Sequence, residues 1–122
     1  MALIRPLDPA FPIDRQLDLD ASAVVLVNLF TLEAADEHAF LAAWQGDAAF
    51  MKHQPGFIRT QLHRALGASP TYLNYAVWES TEAFRVAFAK PEFRAKLSTY
   101  PPSAVASPHL FQTVAVPGIC VA

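Results

Sequence analysis

Residues 71–79 form an apolar, aromatic-rich run in which period-two alternation places Tyr72, Asn74, Ala76 and Trp78 on one face and Leu73, Tyr75 and Val77 on the other. An amide with donors and an acceptor thus lies beside an indole, which offers one donor and a wide flat surface. Such a pair suits a planar aromatic ligand bearing oxygens, and Tyr72 adds a hydroxyl to the same face. On spacing alone the alternative is structural: an asparagine bonded to neighbouring backbone and a tryptophan packed into a core.

Other residues rank behind this group. Asn28 interrupts an otherwise apolar run, and a buried amide there needs a partner. Phe57, Arg59, Gln61 and His63 alternate onto one face, so His63 is either a base, if that face lines a pocket, or a packed imidazole. Phe40 and Trp44, four apart, suit either core or pocket wall, and the two overlap where a pocket lies between helix and sheet. No two histidines show the i, i+4 spacing of a helical metal pair. With four glycines and no phosphate-cradling loop, nucleotide fingerprint or metal-ligand cluster, no cofactor and no metal are expected.

The elements that must position these residues follow from pattern. Residues 23–31 are apolar on both alternating faces, the signature of a strand covered on both sides. In 34–53, Phe40, Leu41, Trp44, Ala48 and Met51 recur at helical spacing behind the acidic Glu33, Asp36 and Glu37. Gln54-Pro55-Gly56 breaks that helix; strands at 57–66 and 71–79 flank turn residues 67–70 and predict a hairpin. Ser80 can cap a helix through 90, and Pro91 suits the first turn of a short helix ending near 98. A last strand is expected at 110–116.

This order is the ferredoxin-like split βαββαβ arrangement, an α+β fold with a four-stranded antiparallel sheet and helices on one face. No element is left to cover the other face, so a homodimer joined sheet to sheet is expected. Residues 1–20, with Pro6, Pro9 and Pro12, read as an irregular N-terminal arm draped over the domain or a second subunit; the domain spans 21–117 and a tail 118–122.

Composition narrows the function classes. The 122 residues suit one domain, and 53% hydrophobic with 16% charged residues can build a core. A formal charge of -2 lacks the basic surface that nucleic acid requires. The single cysteine, Cys120, cannot close an internal disulfide. Charged residues and prolines interrupt the first 20 positions, and no apolar run reaches the roughly 18 residues of a membrane span, so a cytoplasmic protein with no membrane partner is expected.

The stretch Asn74-Tyr75-Ala76-Val77-Trp78-Glu79-Ser80-Thr81-Glu82-Ala83-Phe84-Arg85-Val86-Ala87-Phe88 resembles the signature of the antibiotic biosynthesis monooxygenase family, and Gln54-Pro55-Gly56-Phe57 and Leu62-His63-Arg64 support it. The likeness extends over roughly residues 22–117 and is greatest to cofactor-independent members that oxidise polyketide anthrones to quinones. It implies a dimeric α+β barrel acting with O₂ on a small, electron-rich aromatic such as a phenol or anthrone. It also implies roles for Asn74 and Trp78, the pair that holds substrate and oxygen adducts: Asn74 bonds the developing oxyanion or peroxide and Trp78 supplies a ring surface and a donor, while Arg94, a weaker match, favours the anion; the shared strand face adds Tyr72 as a proton relay. Asn28, His63, Phe84, Trp44 and Phe40 are the candidate substrate contacts. Phe84 stands where the best-matching members carry a tyrosine, and Tyr72 or Tyr100 can supply a hydroxyl in its place. The family includes haem-degrading members, which leaves a small-molecule binder and a haem-handling relative, with His63 as axial ligand, as alternatives.

Overall fold

The structure, a computed structural model, describes residues 3–122. In chain order it comprises β1 (Leu3–Ile4), α1 (Ile13–Gln16), β2 (Ser22–Thr31), α2 (Glu37–Met51), β3 (Phe57–Arg64), β4 (Thr71–Ser80), α3 (Thr81–Phe88), α4 (Pro91–Leu97) and β5 (Val105–Phe111). The sheet order is β1-β5-β2-β4-β3, and β2 pairs antiparallel with both β4 and β5. This is the ferredoxin-like α+β arrangement, with β2 at its centre as its two-sided apolar sequence requires.

The sheet has five strands rather than four, because Leu3–Ile4 adds a short parallel strand against Val105 and Ala106. Two residues are too few to show alternation, and nearby Pro6 reads as a breaker. The last strand runs Val105–Phe111, not 110–116. Pro108 looks like an interruption, yet it is tolerated for a geometric reason. The backbone groups of Ala104 and Ala106 face β1, where they bond Leu3 and Arg5. The nitrogen of Pro108 therefore points to the same outer side, beyond the end of β1, and removes no bond to β2. One step on, Gln16 closes the outer edge, accepting from the Leu110 N–H at 2.9 Å and donating to the Leu110 carbonyl at 3.3 Å.

The arm is thus more ordered than its prolines suggest. Ile13 of α1 is buried among Leu26, Trp78 and Phe84, and Arg85 donates to the Leu17 carbonyl at 2.6 Å.

Gly56 takes a φ of +87°, and a Cβ there would stand 2.4 Å from that of Ala83. Only glycine lets β3 start this close to α3. A bulge follows between Phe57 and Arg59, which corrects the expected alternation: Phe57, Thr60 and Leu62 lie opposite Trp78, Ala76 and Asn74, while Arg59, Gln61 and His63 turn to the reverse face. Ser80 caps α3 by accepting from the Ala83 N–H at 3.1 Å, and Pro91 opens α4.

The helices cover one sheet face with two adjoining cores, one around Trp78, Phe84 and Phe93 and one around Phe30, Phe40 and Tyr72. On the reverse face Val27, Leu29, Leu73, Tyr75 and Val77 are half-buried. Among the described residues no helix is long and apolar enough to cross a membrane.

Candidate active site

Between the helices and the sheet lies a cavity of about 300 Å³, at the lower end of the range for small-molecule sites. Its walls are largely apolar, with Trp44 and Met51 from α2, Phe84 and Phe88 from α3, and Leu97 from α4. Trp78 forms part of the sheet wall, 1% exposed, its ring edge-on to Phe57 at 5.4 Å and to Phe84 at 5.5 Å. The exposed residues Ile4, Asp14 and Arg94 mark the rim, so the arm helps to build it. The Arg94 guanidinium lies 4.8 Å from the centroid of Phe88 and is held there as a cation over a ring.

The polar groups inside are few and convergent. Asn28 on β2 sits directly opposite Asn74 on β4, and both amides reach the cavity. Thr60 Oγ1 donates to Asn74 Oδ1 at 2.5 Å, which occupies the acceptor end of that amide. The Nδ2 donors of Asn74 have no protein partner among the described residues. Asn28 Oδ1 is buried and unpartnered among them, an acceptor whose desolvation goes uncompensated until a donor enters.

From the helix side, Asp47 of α2 accepts a hydrogen bond from the Tyr100 hydroxyl at 2.7 Å, and both residues line the cavity. Burial pushes the Asp47 carboxyl up to about 6, against the opposing effects of the Tyr100 hydrogen bond and the Lys96 charge. Burial, followed by the Asp47 charge, raises the Tyr100 hydroxyl well above the ordinary phenol range.

Of the residues singled out from sequence, Asn74, Trp78, Arg94, Asn28, Phe84 and Trp44 line this cavity. Tyr72, Phe40 and His63 do not. Tyr72 shares the Asn74 face, but its hydroxyl donates to Glu37 Oε1 at 2.6 Å, and that carboxylate also pairs with Arg64 at 2.8 Å. Burial, followed by the hydrogen bond to Glu37, raises the Tyr72 hydroxyl above the ordinary phenol range, against the opposing effect of Arg64. Phe40 is 0% exposed, packed between Phe30 and Tyr72 at centroid distances of 4.9 and 4.7 Å. His63 is exposed on the reverse face with its Nδ1 3.3 Å from the Leu73 carbonyl, turned there by the bulge.

Two polar residues of the cavity, Asp47 and Thr60, escape a reading by alternation. Asp47 follows Trp44 by three positions and precedes Met51 by four, a carboxylate inside an apolar helical stripe. Thr60 is hidden by the bulge.

No histidine lines the cavity, so it offers no axial imidazole for haem, and no group of three metal-ligating side chains occurs among the described residues.

The sequence and the fold are similar to those of known proteins. Residues 23–96 match the antibiotic biosynthesis monooxygenase family. Deoxynogalonate monooxygenase of Streptomyces nogalater is 40% identical over 75 residues, 62% of this chain; the match spans 63% of that relative's length. The crystal structure of SnoaB, a cofactor-independent oxygenase from the same organism, superposes with a TM-score of 0.72 at 32% identity, covering 80% of this chain and 99% of that one. A structure from Shewanella loihica PV-4 gives a TM-score of 0.66 at 26% identity, covering 78% of this chain and 97% of that one. Fold and sequence agree, and the chain belongs to the antibiotic biosynthesis monooxygenase family.

Proposed function

We propose that this protein is a cofactor-independent monooxygenase that oxidises an electron-rich aromatic, a phenol or anthrone, with O₂ to a quinone. The observation that carries the reading is the apposition of Asn28 and Asn74 beside Trp78, with an unused acceptor on one amide and unused donors on the other, in an otherwise apolar cavity. The relatives described as a deoxynogalonate monooxygenase and a cofactor-independent oxygenase support it.

In such a reaction the substrate is its own reductant. Loss of a proton leaves a delocalised anion, which passes an electron to O₂; the pair recombines as a peroxide, and loss of water leaves a carbonyl. For an anthrone the net change at the reacting carbon is CH₂ + O₂ → C=O + H₂O; a phenol loses one ring C–H and one O–H hydrogen to the same water. The chain holds the ring between Trp78, Trp44 and the phenylalanines and excludes bulk water. Asn74 Nδ2 donates to the oxygen on which charge develops, and the fixed amide needs no reorganisation to do so. Asn28 Oδ1 accepts from a substrate hydroxyl, and Arg94 at the rim favours the anion.

The functional unit is a homodimer. Its support is the reverse sheet face, where Val27, Leu29, Leu73, Tyr75 and Val77 lie half-buried side by side as an apolar patch.

A binder of the same fold is the second reading, favoured by Phe84, which puts a ring without a hydroxyl on the helix wall. Oxygen uptake and quinone absorbance with chelator-treated protein and a three-ring anthrone separate the two. Catalysed uptake that falls in Trp78→Phe supports the oxygenase; uptake no faster than the spontaneous rate makes the protein a binder.

A further inference from the structure

The oxidation proposed above begins with loss of a proton, and neither asparagine nor tryptophan accepts one. The cavity contains one half-buried carboxylate placed to do so. Asp47 projects from α2, on the helix wall facing the sheet that carries Asn28 and Asn74. Its Oδ2 accepts from Tyr100, while its Oδ1 has no hydrogen-bond partner among the described residues. No ion pair within 4.0 Å neutralises it; the one such pair among the described residues is Arg64 with Glu37, elsewhere in the fold. A carboxylate in an apolar cavity costs stability, and packing alone does not account for its presence.

We propose that Asp47 is the general base that takes the substrate's first proton, and that Tyr100 is the positioning residue that holds its carboxylate; this rests on the oxygenase reading. The C–H or phenolic O–H bond breaks, and the proton forms a bond to Asp47 Oδ1. The electron pair stays on the ring system and spreads to the oxygen that Asn74 Nδ2 bonds. After the anion and O₂ combine, Asp47 returns that proton to the peroxide. It then accepts the proton that remains on the carbon bearing the peroxide as hydroxide leaves, and hydroxide takes it back as water. Atoms and electrons close on one carbonyl and one water, and the carboxylate is regenerated.

The pH behaviour of the site follows from what faces Asp47. Tyr100 and Lys96 favour its charged form; Arg94 and Asp14 stand with opposite charges at the rim. Burial outweighs them and leaves the group at about 6, ionised at neutral pH yet more basic than an ordinary carboxylate. Activity should therefore rise through pH 6 and level off above it.

Three proteins test the assignment with the same anthrone: the native chain, Asp47→Asn and Tyr100→Phe. Asp47→Asn should lower kcat/KM about 100-fold or more and abolish the acid limb, while anthrone still quenches tryptophan fluorescence at native concentrations. Tyr100→Phe removes a hydrogen bond that favours the carboxylate, so its acid limb should move to higher pH. If Asp47→Asn keeps the native rate and profile, or if the Tyr100→Phe limb stays in place, Asp47 is not the base, and an active native enzyme leaves the oxygenase reading standing. If the native chain itself shows no catalysed uptake, both fall together. Should Asp47→Asn fail to fold, the position of the Tyr100→Phe limb decides.

Discussion

Thr60 Oγ1 donates to Asn74 Oδ1 from the neighbouring strand, and this bond decides which end of the Asn74 amide faces the cavity. With the oxygen held, the two N–H donors are directed at the ligand, and the amide is preorganised as an oxyanion donor.

Removing the donor should be far costlier to turnover than to folding. Asn74→Ala is expected to lower kcat by about 100-fold, the usual effect of deleting one such donor. Thr60→Val keeps the donor and releases its orientation, so kcat should fall by roughly 10-fold with KM little changed. Steady-state oxygen uptake on the two variants checks the order of the effects.

Tyr72 gives the opposite pattern. Its hydroxyl is committed to Glu37, outside the cavity. Tyr72→Phe should leave turnover unchanged and cost about 1 kcal/mol of stability, the net worth of one hydrogen bond. A loss of activity comparable to that of Asn74→Ala would reinstate it as a proton relay.

Asp47 also links stability to pH. Its folded pKa of about 6 lies above the ordinary 3.8, so its contribution is fully present below pH 3.8 and is lost as pH rises through 6. Asp47→Asn should therefore raise the melting temperature at pH 8, and the advantage should shrink towards pH 4. A variant less stable than the native chain at pH 8 would show that the carboxylate is structural.

Gly56 joins sequence to site through the backbone. Alanine there is strained twice, by a φ of +87° and by the approach of Ala83. Gly56→Ala should destabilise the fold by about 2 kcal/mol or more, measured by urea denaturation, and displace Phe57 from the cavity wall.

The reverse sheet face predicts assembly. Sedimentation should give twice the chain mass, and Leu73→Glu, which puts a charge into that apolar face, should give the monomer.

Much of this arrangement is legible in sequence where a residue's environment is set by local period. The two-sided β2, the shared face of Asn74 and Trp78, the Ser80 cap and Pro91 at a helix start all follow from spacing. What escapes depends on events that spacing does not record. A single bulge after Phe57 exchanges His63 for Thr60 on the cavity face. Pro108 lies within β5 only because its nitrogen points past the end of β1. Tyr72 and Asn74 share a face, yet the chain places the tyrosine beneath Glu37 and the amide in the cavity. Asp47 was recoverable in principle, since Trp44, Ala48 and Met51 mark its helix face as the inner one.

The most direct test of an oxygenase centred on Asn74 is to supply ¹⁸O₂ to dialysed protein with an anthrone and follow the quinone by mass spectrometry, comparing the native chain with Asn74→Ala. One ¹⁸O per quinone at a catalysed rate, reduced about 100-fold in the variant, is the expected result. A quinone that forms at equal rates with either protein, or that gains no label, would contradict an oxygenase centred on Asn74.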